Sequence, residues 1–231
     1  MKIKGFIGTS LLDYPKKISA VIFLAGCDFR CPYCHNPDLI GSGNHLPDIQ
    51  MQEVLKKLEQ RKDFIDGVVI SGGEPTIHNN LAELVKPIKD MGYPVKVDTN
   101  GYNPDLLKEL LENGLVDYIA MDIKSSPENY SSAAGKVIDI NNIKKSINII
   151  IDKAPGYEFR TTVVPSLIKK QDIESIAQLL KGAKLFYINQ FRAIITYDSS
   201  YENEKAYEID TLNNFKEILS KTIDTVEIRG I

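Results

Sequence analysis

All three cysteines of the chain fall within eight residues, Cys27-Asp28-Phe29-Arg30-Cys31-Pro32-Tyr33-Cys34. Spacings of four and three residues let three thiolates converge on one metal centre from a single loop. Three is one short of the usual four ligands of an iron–sulfur cluster. The pattern therefore points to one 4Fe–4S cluster with an iron left open for a small-molecule ligand. Two other readings use the same residues. His35 follows Cys34 directly and would complete a Cys3His zinc set, although adjacent third and fourth ligands strain a tetrahedron. Buried, inert thiols are the plain structural alternative. An odd cysteine count without a secretory leader argues against a disulfide framework and for a reducing compartment.

Three further groups could bind a ligand. In Gly72-Gly73-Glu74-Pro75 the glycines permit close backbone approach, and Glu74 offers a carboxylate to an ammonium group; a plain turn would use the same residues. Asp98, in Asp98-Thr99-Asn100-Gly101, and Asp122 can accept from an amine or hold a small cation, while Lys124 can pair with a carboxylate. A solvated charge pair is the simpler account of each alone. Together, acids and a base suit a zwitterion, and an amino acid's amine and carboxylate chelate an open iron well.

These groups need a scaffold that delivers them to one place, and the hydrophobic rhythm supplies it. Short apolar runs at 19–24 and 67–71 read as buried strands, and 95–98 and 116–123 as a third and a fourth strand. Further strands are expected at 159–164, 184–191 and 225–228. Helices are expected over 49–61 with Asp48 as its cap, then 80–91, 104–112, 140–152, 172–180 and 212–221. This alternation predicts an α/β fold with a mostly parallel sheet. About six strand–helix units are too few for a closed eightfold barrel, so a partial, open parallel β/α barrel is expected. Ligands in such folds sit beyond the carboxyl ends of the strands. The cysteines follow the first of these strands, GGEP the second, Asp98 closes the third and Asp122 the fourth. All four groups thus share one rim.

The 231 residues, 43% hydrophobic and 26% charged, suit a single domain, 1–231. A net charge of −3 gives no sequence-independent grip on nucleic acid. No apolar run approaches membrane-spanning length, and a cytoplasmic location is expected.

The Cys-x3-Cys-x-Tyr-Cys loop, with GGEP after the next strand, resembles the radical S-adenosylmethionine (SAM) superfamily. Within it, four features are similar to the activating enzymes of glycyl-radical proteins: the opening Gly5-Phe6-Ile7-Gly8-Thr9-Ser10-Leu11-Leu12-Asp13-Tyr14-Pro15, the segment Cys31-Pro32-Tyr33-Cys34-His35-Asn36-Pro37, and the Asp98-Thr99-Asn100-Gly101 and Asp122-x-Lys124 motifs. Activators of anaerobic ribonucleoside-triphosphate reductase are the subgroup it resembles above all. The resemblance implies a radical SAM core and an anaerobic oxidoreductase. One electron from a flavodoxin- or ferredoxin-like donor would cleave SAM reductively, and the resulting 5′-deoxyadenosyl radical would take hydrogen from a glycine of a partner protein.

It implies that Cys27, Cys31 and Cys34 hold the cluster and that Tyr33 lies near adenine. Gly72, Gly73 and Glu74 would hold the methionyl amine; Asp98, Thr99, Asp122 and Lys124 would complete that pocket. Arg160 would reach SAM or substrate, with a structural ion pair as the alternative. No general base or catalytic triad is implied. Pyruvate formate-lyase activators carry a SAM-holding histidine where this chain has Ile188-Asn189-Gln190-Phe191-Arg192, leaving that role unfilled or passed to Gln190. No cysteines remain for a second cluster. Other activities compatible with the motifs are activation of another glycyl-radical enzyme and small-molecule radical chemistry such as modified-nucleoside synthesis. A metal-bearing binding module would keep the cysteine loop and lack SAM cleavage.

Overall fold

The computed structural model describes residues 1–231. Its sheet has eight strands in sequence order: β1 (Ile3–Ser10), β2 (Ser19–Leu24), β3 (Gly67–Gly72), β4 (Val95–Thr99), β5 (Tyr118–Asp122), β6 (Tyr157–Val163), β7 (Leu185–Gln190) and β8 (Thr225–Arg229). β1 runs antiparallel to β2, and every later pairing is parallel. β1 and β8 lie at the two edges and do not pair with each other, so the barrel is open.

The connecting helices are α1 (Pro37–Ile40), α2 (Met51–Glu59), α3 (Leu81–Asp90), α4 (Pro104–Glu112), α5 (Tyr130–Ala134), α6 (Ile140–Lys153), α7 (Lys170–Leu179) and α8 (Ile209–Leu219). Alternate residues of the strands face opposite ways. Ile22, Ile70, Val97, Ile119, Phe159 and Ile188 join the helices in a core cluster of 51 buried residues. Val21 and Val69 face the concave side with Tyr14, and Phe23 and Tyr118 pack against them.

Six strand–helix units followed by a last strand agree with the rhythm of the sequence. β1 is an addition: its glycines and polar residues mask the apolar alternation of an edge strand. Asp48 does not cap α2, whose N-cap is Gln50; Asp48 instead pairs with the buried Lys4 ammonium at 2.7 Å. The polar segment 126–138 contains α5. Tyr130, Ala133 and Ala134 are buried there, and Ser126 Oγ donates to Asp172. No helix is long and apolar enough to cross a membrane.

Candidate functional site

The residue after β2 begins the cysteine loop, which the surrounding backbone holds from several sides. Gly26 and Cys27 N–H donate to Leu39 and Ile40 carbonyls at 2.8 and 2.9 Å, which makes α1 a brace. Arg30 N–H donates to Ala134 of α5 at 2.8 Å. The stretch between β7 and α8 crosses the outside, where Tyr197 and Asp198 N–H reach the carbonyls of Cys34 and Pro32. The thiols themselves are free. Burial pushes Cys27 up to about 12 and Cys31 up to about 11, and raises Cys34 as well. Without a metal these sulfurs are neutral; a bound cation would draw off their protons.

The nine other site residues expected from the sequence line one cavity with these three thiols. Gly72 has φ 117°, and a Cβ there would lie 2.3 Å from Leu24 O; one on Gly73 would lie 2.1 Å from Gly26 O. The close approach that demands glycine is thus to the protein's own β2 end. It seats the GGEP turn directly against the cysteine loop.

Glu74 is 2% exposed and held by donors alone. Its Oε1 accepts from Thr76 N–H at 3.0 Å and from the Thr76 and Thr99 hydroxyls, and its Oε2 accepts from Asn100 N–H at 2.6 Å. Burial outweighs these bonds and raises its carboxyl to about 7. Thr99 and Glu74 therefore tie β3 to β4 behind the cavity, and Glu74 keeps spare acceptor capacity mainly at Oε2.

At the ends of β4, β5 and β6 the carboxylates meet cations. Asp122 accepts from Arg160 Nε and, at 2.9 Å, from Lys124 Nζ. Arg160 also lies 3.5 Å from Asp98, and Asp98 accepts from Ser71 Oγ at 3.0 Å and from the buried Lys96 ammonium. Burial acts to raise Asp122, but Arg160 and then Lys124 hold it well below the usual carboxylate range. Burial likewise acts against the Lys124 cation, which Asp122 restores and raises. Arg160 reaches 3.8 Å from Glu158 too; it is an ion-pair hub whose guanidinium borders the cavity. Tyr33 is buried at the cavity wall within the field of Lys124.

Sequence reasoning missed Ser71, Asn100 and Thr162 in the lining, and Lys96 and Glu158 beneath it. Period-two parity was the available signal: Lys96 shares a face with Asp98, and Glu158 and Thr162 with Arg160. Gln190 does not face the site. It has the parity of the core residue Ile188, and its amide donates to Tyr207 O at 2.6 Å, so the histidine's role does not pass to it. His35 borders the cavity, yet its Nε2 lies 3.0 Å from Arg192 O and its ring stacks on Phe191. That contact occupies Nε2 and leaves Nδ1 free, the way a metal-ligating histidine is commonly held, so it does not by itself remove His35 from a Cys3His set. The three cysteines border one cavity, as the three-thiolate pattern of an iron–sulfur cluster with one open iron requires. Beside them, the mixed charges and hydrogen-bond acceptors fit a zwitterionic ligand.

Comparison with known proteins agrees with this geometry. Residues 21–183 match the model of the Radical SAM superfamily. A protein of Methanocaldococcus jannaschii, provisionally named a glycyl-radical enzyme activating enzyme, is 38% identical over 99% of this chain and 96% of its own. The pyruvate formate-lyase-activating enzyme of Clostridium pasteurianum is 31% identical over 79% of this chain and 77% of its own. In shape the chain is similar to Streptococcus suis SuiB bound to the precursor peptide SuiA, with a TM-score of 0.71, 14% identity, and coverage of 91% of this chain and 48% of that one.

Proposed function

The chain belongs to the radical SAM superfamily, as an enzyme of the glycyl-radical activating type, and from that premise we propose that it activates a partner protein by taking a hydrogen atom from one of its glycines. Enzymes of this family use a 4Fe–4S cluster and SAM. Cys27, Cys31 and Cys34 would hold the cluster, whose chemistry when bound is one-electron reduction of the SAM sulfonium. The chain's own residues bind, orient and exclude water. Lys124 would take the methionyl carboxylate, since an ammonium has three donors and Asp122 uses one. Gly72, Gly73, the remaining Glu74 acceptor and Asp98 would receive the amine, with Thr99 fixing Glu74 and Asp122 fixing Lys124. Tyr33 would lie against adenine, and Arg160 would keep both aspartates charged at the cavity floor.

The observation that carries this reading is the convergence of three free thiols and a paired acid–base rim in one cavity. Anaerobic ribonucleotide reductase is the partner we favour, on the Gly5–Pro15 and Cys-Pro-Tyr-Cys-His-Asn-Pro motifs; a pyruvate formate-lyase-type enzyme is the second, on the named relatives. The donor would be a flavodoxin- or ferredoxin-like protein, in the cytoplasm.

The test is anaerobic reconstitution, reduction and incubation with SAM, followed by each candidate partner. Absorbance near ~400 nm from a Cys-ligated cluster, with 5′-deoxyadenosine and methionine released and a glycyl radical on the partner, is expected. Cys31→Ala is expected to lose the cluster iron and all SAM cleavage while staying folded. Iron and sulfide retained at the wild-type level in that variant would refute the ligand assignment. Repeated turnover on a small molecule, with no partner radical, would move the chain to small-molecule chemistry.

A further inference from the structure

Most anchors of the cysteine loop are backbone hydrogen bonds, but the stretch between its first two cysteines is also gripped side chain to side chain. Asn100 Nδ2 donates to Asp28 Oδ1 at 2.8 Å, across 72 residues of chain. Asn100 is 5% exposed, and its N–H and its amide oxygen are committed. Its N–H donates to Glu74 at 2.6 Å, and its Oδ1 accepts from Tyr102 N–H at 2.9 Å. Asp28 follows Cys27 directly, and the peptide after Asp28 carries the Phe29 N–H, which donates to Cys27 Sγ at 3.4 Å. The Phe29 ring is 1% exposed and packs edge-on to Tyr102, so residues ordered by Asn100 flank both ends of that peptide.

We propose that Asn100 is a positioning residue for the metal centre: its grip on Asp28 sets the Asp28–Phe29 peptide so that the Phe29 N–H stays on the Cys27 sulfur. The inference rests on the cluster reading above. A hydrogen bond to a ligating sulfur favours the more negative, reduced cluster and so raises its reduction potential. Only a side chain that donates and accepts can serve here, because Asp28 needs a donor and Tyr102 N–H needs an acceptor. Asparagine does both; aspartate or leucine cannot.

Three variants test it. Asn100→Asp keeps the size and the acceptor for Tyr102 but faces Asp28 with a second carboxylate. Asp28→Ala removes the partner and leaves every other Asn100 bond in place. The exchange Asp28→Asn with Asn100→Asp restores one donor and one acceptor. In the metal-free protein, trypsin cleavage after Arg30, followed by mass spectrometry, reads the looseness of the loop. Losing one charge-assisted bond is expected to speed that cleavage about tenfold in both single variants.

In the reconstituted protein, the midpoint potential is expected to move more negative and the electron paramagnetic resonance signal of the reduced cluster to change. The exchange variant should return both readouts toward wild type. Wild-type cleavage and potential in Asp28→Ala, or no recovery in the exchange, would overturn the proposal. A wild-type chain that assembles no cluster overturns the functional reading and the cluster role of Asn100 together. An assembled cluster indifferent to all three variants defeats this inference alone.

Discussion

Glu74 and Asp122 are carboxylates on one cavity in opposite settings. Neutral donors alone surround Glu74: two hydroxyls and two backbone N–H groups. Two cations, Arg160 and Lys124, flank Asp122. Burial wins at Glu74 and raises it to about 7, while at Asp122 burial loses to Arg160 and Lys124. The difference separates two tasks. The Glu74 side joins three loops into one rigid backing for the cysteines. The Asp122 side keeps charges fixed and partly open for a charged ligand.

The comparison breaks most visibly at Asp122. Asp122→Asn leaves Arg160 and Lys124 facing each other without their shared countercharge. Removing one partner of a buried pair costs about 3–5 kcal/mol. Asp122 retains 31% side-chain exposure toward the cavity, which places the expected loss near the bottom of that range, about 3 kcal/mol. For a chain of this size that is a fall of roughly 6–12 °C in melting temperature. A fall under about 2 °C would mean that water in the cavity already screens the cations and that the pairing is incidental.

Glu74→Gln should cost less, about 1–3 kcal/mol, because it turns one acceptor into a donor facing Asn100 N–H. Its pH dependence sharpens the contrast. Glu74 has a folded pKa of about 7 against an ordinary 4.5, so the folded state binds the extra proton between those values. The stability this gives is fully present below about pH 4.5 and lost as pH rises through 7. The cost of Glu74→Gln in urea unfolding should therefore be larger at about pH 5 than at about pH 8. Asp122 runs the other way: its depressed pKa gives stability that is present near neutrality and lost in acid. Equal Glu74→Gln costs at both pH values would show the hydrogen bonds, not burial, to be in control.

How much of this was legible in the sequence differs between the two sides. The strand ends were readable, because buried apolar runs announce β2 and β3, the strand–helix alternation places β4 and β5, and each of the four ends on a polar group that must share one rim. The boundaries fell within two or three residues, with 116–123 observed as Tyr118–Asp122. The edge strand β1 was not readable, since one of its faces meets solvent and Gly5 and Gly8 interrupt its pattern. Nor was α5, whose five residues are too short for a helical period to register. The residue types at the site were all visible, but not their division of labour. That Thr99 and Asn100 bind Glu74 rather than a ligand depends on which way each side chain points after a turn, and spacing does not carry that information.

Lys124 gives the smallest expected effect on stability and the finest test of the division. Arg160 holds Asp122 by itself, so Lys124→Met leaves that carboxylate paired and keeps most of the aliphatic volume. A stability change of about 1 kcal/mol is expected, the size of one hydrogen bond lost from a carboxylate that stays paired. SAM affinity is another matter if the ammonium takes the methionyl carboxylate. Losing one charge-assisted bond should then weaken binding of SAM to the reconstituted protein about tenfold or more, read by calorimetry or by the change in the reduced cluster's resonance spectrum. The pattern to look for is the split itself: Asp122→Asn large in stability, Lys124→Met small in stability and large in affinity. A Lys124→Met protein that melts as low as Asp122→Asn and binds SAM normally would make Lys124 part of the scaffold. The methionyl carboxylate would then have to fall to Arg160, the other cation bordering that end of the cavity.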